Sequence, residues 1–515
     1  MKAASFWMSV LAGAASLVSV LGKDVQTQAE KIFRKLPGIP AKEAETADGQ
    51  IEGTFQQLLD HSDASKGTFT QRFWLDTHFW DGPGSPVFLF MAGEEDASGY
   101  LGYLREGIPG LYAENFGGLV VVIEHRYFGK SQPFDTLTAE TLRFLDLPNS
   151  MKDMTYFAQN VDIEVANGTV LDKPSEAPWV LIGGSYSGAL AAWIQQKEPG
   201  VFFAYHASSA VVETISDFSS YFKPIEEGLP RNCSADVRAV VQYIDNTLTD
   251  GDSIAVEDLK AMFGLDFLEA DDFAYWVSQP IQSWQDNETA VFAFCDLLEA
   301  TENTGLDESV DGLGLDVVLP LYADYINGTY GLYCRADNYT ICDSHNPSTD
   351  ASYNDPTDFG SDRPWEWMLC HNPFGWWQVG PNVTDGTNIV SQYITVDWYT
   401  RRCALYFPET NGYRSGAEDG WTPEHLDLYT GGWDAPFERV VFVNGEVDPW
   451  RDVTVSSDYR DGGRRPSTDD MPVFVVPGGN HCPEMLLEEF DGLPDLYDNL
   501  VAIMATWLGD WEAPS

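Results

Sequence analysis

Residues 181–193 read LIGGSYSGALAAW: an apolar run, two glycines, two serines flanking a tyrosine, then a helix-forming stretch. A serine on a tight strand-to-helix turn is the arrangement of a hydrolase nucleophile. The turn lifts the hydroxyl clear of the backbone, and the helix N-terminus behind it stabilises developing negative charge. Such a turn demands small residues two before and two after the nucleophile. Ser185 has Gly183 and Ser187 at those positions; Ser187 has Ser185 and Ala189. Both pass the steric test, and the double glycine before Ser185 suits the tighter geometry. A plain glycine-rich bend between a buried strand and a helix is the structural alternative.

A nucleophilic serine needs a base, and the base needs an orienting carboxylate, in the chain order Ser, Asp or Glu, His. Of the eight histidines, His481 follows the late apolar run VFVVPGG, and Asp448 follows VVFVNG. Both leave the C-terminal ends of expected strands, where open α/β sheets gather their sites. Alone, Asp448 reads as a turn residue before Pro449 and His481 as a surface-loop histidine; the three residues together, in this order and context, point to acyl transfer. The expected oxyanion donors are the Tyr186 backbone N–H and one N–H of the loop MAGEED (91–96), near Gly93 or Glu94, for which a surface turn is the alternative. Glu124, His125 and Arg126 read as a buried ionic network, since such charges survive burial when paired.

Short continuous apolar runs ending in turn residues must position these groups: SPVFLFMAG (85–93), GLVVVIEHR (118–126), APWVLIGGS (177–185), RVVFVNGEVD (439–448) and MPVFVVPGGNH (471–481). They read as fully buried parallel strands, and the helical stretches between them, such as DMTYFAQNVDIEVA and SGALAAWIQQKE, give an α/β doubly wound sheet. The strand rhythm stops between about residues 212 and 435, where ADVRAVVQYIDNTL is one of several helical pieces. The expected organisation is a signal peptide at 1–22, a leader or propeptide at 23–50, an α/β core at 51–211, a mostly helical cap at 212–435 and the rest of the core at 436–515.

Composition narrows the partners. The 515 residues carry 80 Asp and Glu against 29 Lys and Arg, a net charge of −51, which excludes phosphate backbones and anionic membrane surfaces as natural partners. Such a surface suits acidic surroundings, where carboxylates take up protons and self-repulsion falls. Lys2, the apolar run after it and the small residues Ala15, Ser16 and Gly22 form a secretory signal, and no later stretch is apolar for the roughly 18 residues of a membrane helix. Export agrees with six glycosylation sequons, at Asn167, Asn232, Asn287, Asn327, Asn338 and Asn382. It also permits disulfides among Cys233, Cys295, Cys334, Cys342, Cys370 and Cys403, the odd seventh cysteine being Cys482. No Cys/His spacing calls for zinc.

Taken together, FQQLLDHSDASKGTFTQRFW (55–74), GSPVFLFMAGEE, VVIEHRYFGKSQPF, GGSYSGALAAW, NGEVDPWRD and PGGNHC resemble the serine peptidases that act at proline. That family holds lysosomal Pro-Xaa carboxypeptidase, a related lysosomal dipeptidyl peptidase and secreted fungal acid prolyl endoproteases. The likeness runs from residue 52 to 510, and LCHNPFGWWQ and RCALYFPETNGY look most like the fungal branch. The resemblance implies Ser185 as nucleophile, Asp448 as acid, His481 as base, and an α/β-hydrolase core with an inserted helical cap. It implies the pairs Cys233–Cys295 and Cys370–Cys403, with Cys334–Cys342 as the pair that remains and Cys482 unpaired. The chain departs from the lysosomal members at AGEED, where they resemble GNEGD, which leaves the second oxyanion donor open. Ala189 stands where the carboxypeptidase-like sequence is larger, so the proline pocket is expected to be wider. Trp450, Trp376 and Trp377 are candidate pocket walls, since flat aromatics suit a pyrrolidine ring, with core packing as the alternative.

The expectation is a secreted acid serine peptidase that cleaves on the carboxyl side of proline in peptides or proteins, as an endoprotease, without cofactor or metal. Its alternatives are a proline-specific exopeptidase, an esterase and a non-catalytic hydrolase-fold binding protein; lysosome or vacuole is the alternative location. An optimum below pH 6 is expected from the charge balance, and it asks for a lowered His481 pKa or a small active fraction.

Overall fold

Continuous apolar runs have to be covered on both faces, and in the computed structural model they are. It describes residues 50–166, 169–299, 310–335, 342–346, 353, 355–383, 386–487 and 493–513. The signal peptide, the leader before Gln50, and the sequons at Asn167 and Asn338 lie outside these residues. The large sheet has eight strands: β1 (Gln50–Leu58), β2 (Thr68–Asp76), β3 (Val87–Met91), β4 (Leu119–Ile123), β5 (Trp179–Gly184), β6 (Ala204–Ser208), β7 (Val440–Gly445) and β8 (Val473–Val476). Their order is β1-β2-β4-β3-β5-β6-β7-β8. β1 and β2 pair antiparallel, as do β2 and β4, and every other pairing is parallel. This is an α/β-hydrolase core, and every residue of β3 and β4 is buried.

Two hydrophobic clusters sandwich the sheet. On one face α2 (Leu147–Asn160) and α3 (Ser185–Lys197) contribute Met151, Phe157, Leu190 and Trp193. On the other, α1 (Ile108–Phe116) and the C-terminal helix Leu493–Gly509 contribute Tyr112, Leu500 and Met504. Among the described residues, the chain between Ser208 and Val440 adds no strand to the large sheet. It forms helices, including α4 (Arg231–Asp250), α5 (Ala270–Gln282), α6 (Trp284–Leu298), α7 (Leu315–Ile326), α8 (Asp362–His371), α9 (Val396–Tyr406) and α10 (Pro423–Thr430). A two-stranded parallel patch, Ile215–Asp217 with Gly375–Trp377, lies within it. Disulfides Cys233–Cys295, Cys334–Cys342 and Cys370–Cys403 staple this cap, and Cys482 is free. No helix among the described residues is long and apolar enough to cross a membrane. Asn287 and Asn382 are exposed, whereas Asn232 and Asn327 are half-buried, and the Asn327 amide oxygen accepts from Arg335 at 2.6 Å.

Two readings of the sequence change. The helix expected through DMTYFAQNVDIEVA ends at Asn160, and Glu164–Ala166 is a short strand. β8 is an edge strand and half-buried over most of its length, because it has a neighbour on one side only. The charged residues after β4 do form a buried network. Arg126 donates to both Asp153 oxygens, at 2.5 and 2.6 Å, and to the carbonyl of Phe144. Glu124 pairs with Arg72 and accepts from Ser131 at 2.5 Å.

Where the core passes into the cap, the carboxyls of Glu213 and Asp427 face one another. Asp427 accepts from the Thr214 N–H (2.9 Å) and hydroxyl (2.8 Å), and Glu213 from the Trp433 N–H at 2.8 Å. Burial, then the charge of Asp427, pushes Glu213 up to about 7, and burial pushes Asp427 up to about 6. A carboxyl whose pKa is raised on folding contributes stability that is complete below its unfolded pKa, about 4.3 for Glu, and is lost as pH rises through the folded value. The melting temperature is therefore expected to fall between pH 5 and pH 8, and Glu213→Gln to flatten part of that slope. Thermal unfolding across the range checks this, and a melting temperature that rises with pH would contradict it.

Candidate active site

β5 delivers the chain to the turn at its C-terminal end, and α3 begins at once at Ser185. Ser185 has φ 57°, in the left-handed region that costs a residue bearing a Cβ. The strain is held by close packing: a Cβ on Gly183 would lie 2.2 Å from the Ser187 carbonyl oxygen, and one on Gly188 2.7 Å from that of Ser208. The two serines left open by the sequence now differ. Ser185 is half-buried at the strained turn, whereas Ser187 is buried, with its hydroxyl enclosed and unpartnered among the described residues. The N-terminal turn of α3 leaves its first N–H groups, Tyr186 among them, without helical partners.

The loops after β7 and β8 meet beside this turn. His481 Nδ1 lies 2.9 Å from Asp448 Oδ1, which also accepts the Trp450 N–H at 2.9 Å. Asp448 is fully buried, and His481 Nε2 is enclosed without a partner among the described residues. With Nδ1–H donating to the carboxylate, Nε2 is left free to take a proton. The loops are pinned together: the Val447 N–H donates to the Gly479 carbonyl at 3.0 Å, and a Cβ on Gly445 would fall 2.0 Å from the Asn480 carbonyl. A Cβ on Gly184 would stand 3.1 Å from Cys482 Sγ, so the residue after His481 touches the residue before Ser185. Cys482 itself donates its N–H to Ser209 Oγ at 2.9 Å.

Burial works to lower the pKa of His481, but the charge of Asp448, then the neighbouring Cys482, and the hydrogen bonds to both outweigh burial and hold the imidazole well above its ordinary value. This is opposite to the lowering that acid activity asks for: Asp448 wins because it is wholly desolvated and at hydrogen-bond distance. A second histidine, His125, sits beneath the turn. It lies 3.2 Å from the Tyr186 hydroxyl and 2.9 Å from the Arg126 carbonyl, and burial lowers it to about 4, so it is neutral.

The loop after β3 closes the other side. Gly93, at φ 81°, packs on Ser187: a Cβ there would meet its Oγ at 3.1 Å. Glu94 follows, close enough to His481 for the two to interact electrostatically. Of the expected pocket residues, Trp450 lies with its ring 6.3 Å from that of His481, and Trp376 stands edge-on to Trp450 at 5.9 Å. Trp377 turns away and stacks on Tyr399 at 5.0 Å in the cap. Ala189 is fully buried in the core cluster, so it presents no surface to a substrate. These two sequence expectations are corrected: the patch strand Gly375–Trp377 alternates its side chains, and Ala189, in the second turn of α3, points into the core. Trp365 on α8 was missed. It lies 6.0 Å from Tyr186 and 6.2 Å from Trp376, which is itself buried and stacked on Phe374 at 4.6 Å, so that Trp376 belongs to the core packing that the sequence left as its alternative. The place of Trp365 in WEWMLCHNPFGWW, a stretch dense in tryptophan, was the only signal.

The same chain is similar to known peptidases. It matches the serine carboxypeptidase S28 family over residues 57–496. The serine protease vicPb of Bipolaris victoriae is 34% identical, over 92% of each chain. The thymus-specific serine protease of Homo sapiens is 26% identical over 96% of this chain and 93% of its own. An extracellular serine carboxypeptidase of Arthroderma benhamiae, so described with the qualifier "probable", is 26% identical over 80% of this chain and 59% of its own. Among solved structures, a proline iminopeptidase of Mycobacterium smegmatis aligns over 88% of this chain and 99% of its own, at 11% identity and a TM-score of 0.34. With the match spanning most of its length, from the end of β1 into the C-terminal helix, the chain belongs to the serine carboxypeptidase S28 family of serine peptidases.

Proposed function

We propose that the protein is a secreted serine peptidase that hydrolyses peptide bonds on the carboxyl side of proline, as an endoprotease. The observation that carries this reading is the Asp448–His481 bond of 2.9 Å, with Nε2 left unpartnered beside the strained turn of Ser185. Ser185 attacks the prolyl carbonyl while His481 Nε2 takes its proton. The N–H of Tyr186 and one from the Gly93–Glu94 segment receive the oxyanion, and His481 then protonates the leaving amine. Water repeats the sequence on the acyl-enzyme. Asp448 fixes the tautomer and stabilises the imidazolium. Proline preference is supported by the sequence resemblance and by Trp450, whose ring lies 6.3 Å from that of His481 and is of the flat aromatic kind that suits a pyrrolidine ring. Secretion is supported by the N-terminal signal and by the extracellular relative.

Ser185→Ala is expected to lose roughly three or more orders of magnitude in kcat with the fold unchanged, and Asp448→Asn and His481→Ala at least about a hundredfold. Ser187→Ala should keep most activity. Kinetics with circular dichroism as the folding control checks the set, and exchanged outcomes for the two serines would remove Ser185 as nucleophile.

The base acts only when neutral. Because Asp448 raises the pKa of His481, log kcat/KM is expected to climb by about one per pH unit from pH 4 until that pKa is passed. The site thus favours an optimum above pH 6, against the expectation from net charge. A pH–rate profile flat from pH 4 to 6 would show that burial wins instead.

The mode of cleavage is read from a peptide with an internal proline and both ends blocked. An endoprotease cleaves it, whereas an exopeptidase trims only the free-ended twin. Mass spectrometry of the products tells the two apart.

A further inference from the structure

The loop after β3 carries two consecutive carboxyls that the mechanism above does not use. Both Glu94 and Glu95 are half-buried at the C-terminal end of the sheet, where Gly93 packs on Ser187. Glu94 interacts with His481, and Glu95 accepts the Ser361 hydroxyl at 3.0 Å, from the segment entering α8 of the cap. Among the described residues neither makes an ion pair. Arg72, whose guanidinium reaches this loop from β2, is taken by Asp96 at 2.7 Å and by Glu124. Arg402, beneath α8, is held 3.6 Å from Glu366 and lies over the rings of Trp398 and Tyr406. Among the described residues, the other ionisable groups that interact with the pair include Tyr186 on α3, Tyr100 beyond the loop, Asp96 within it and Asp362 on α8; none of these carries a positive charge, which His481 alone of the named groups supplies. Beside them the enclosed Nε2 of His481 is unpartnered, so the carboxyls border a position that a reacting group has to fill.

We propose that Glu94 and Glu95 are specificity-determining residues that read the charge of the peptide beside the scissile bond. As carboxylates they favour a cationic group such as a lysine or arginine side chain; as neutral acids they accept an uncharged chain. This deepens the reading of Ser185 and His481 as the reacting groups and rests on it. Two carboxyls beside a single imidazole leave negative charge unmatched, and in a cleft it attracts a cation strongly because little water screens it. Burial pushes both up to about 7, so the change from neutral acid to carboxylate falls between pH 5 and pH 8 rather than near pH 4, where the exposed carboxylates of the surface titrate. Peptides flanked by lysine and by neutral residues should therefore be cut at similar rates in acid, and lysine should be preferred near and above neutrality.

The test is a ratio, which cancels the titration of His481. Two blocked peptides differ only in carrying lysine or Nε-acetyl-lysine on both sides of proline. The ratio of their kcat/KM values is expected to rise roughly tenfold from pH 5 to pH 8 in the native enzyme. It should stay level in Glu94→Gln/Glu95→Gln, which keeps every backbone N–H. A level ratio in the native enzyme overturns the proposal whether or not the variant folds, and so does an undiminished rise in the variant. If neither peptide is cut, the proline reading has failed, and the same ratio is then measured on a choline ester and its neutral 3,3-dimethylbutyl twin: a rise with pH supports the proposal and a level ratio overturns it. If those esters are not turned over either, Ser185 and His481 are not the reacting groups, and the proposal falls with them.

Discussion

The approach of Gly183 to the backbone of Ser187 is the contact on which the site depends. With 2.2 Å between the place of a Cβ and the Ser187 carbonyl oxygen, no other residue fits, and the strand is forced to turn within one residue. The turn puts Ser185 at a positive φ, which costs about 1–3 kcal/mol. That cost is met by the burial of β5 and α3 in one cluster, where Trp179, Leu181, Leu190 and Trp193 are wholly enclosed. The strain cannot relax without unpacking that cluster. Gly188 makes a second such contact, against the carbonyl of Ser208, and so fixes α3 against β6 as well.

From that turn the rest of the site is assembled by loops that hold one another. β6, β7 and β8 run parallel, so their C-terminal ends open on the same edge as Ser185. The His481 loop is anchored from several directions. Cys482 binds Ser209 through its N–H, the Ile108 N–H donates to the Met485 carbonyl at 3.1 Å, and Glu484 lies 2.9 Å from His206 in the centre of the sheet. His206 is in turn 2.9 Å from the Tyr112 hydroxyl. These buried polar contacts leave the imidazole little freedom, which is what general-base chemistry asks of it.

The sequence made the core legible where burial is two-sided. β3, β4, β5 and β7 announce themselves because their residues are almost all apolar and turn residues close each run. β6, AYHAS, was illegible: its histidine is buried through a bond to Glu484, and the Ser208 carbonyl faces Cys482 from a distant loop, which no local pattern reveals. Ser185, Asp448 and His481 could be read because each follows a legible strand. The aromatic cluster could be read only in part. Trp376 and Trp377 are neighbours in sequence, both buried but packed in different places, one beside Trp450 and the other on Tyr399, and a three-residue strand in a cap gives no period from which to tell them apart. Trp365 reaches the site from a helix, across the cap–core boundary, and such tertiary contacts leave no spacing signal.

Net charge and site chemistry pull toward different pH. The carboxyls of Glu213 and Asp427, with Glu94 and Glu95, are favoured as neutral acids, so the folded chain takes up protons that the unfolded chain does not. The fold gains stability in mild acid, where the chain's net charge of −51 is also reduced. The Asp448–His481 pair also binds a proton more tightly in the folded chain, but that proton is the one His481 must lose before it can serve as base, so acid that favours the fold opposes the chemistry. The groups are coupled, since Glu94 acts on His481 directly: once Glu94 is neutral, one negative charge beside the imidazole is gone and its hold on the proton weakens. Protonation of this carboxyl therefore moves the base toward its neutral form in the same range in which the fold is being stabilised. The acidic loop after β3 thereby links the stability of the chain to the working range of its base.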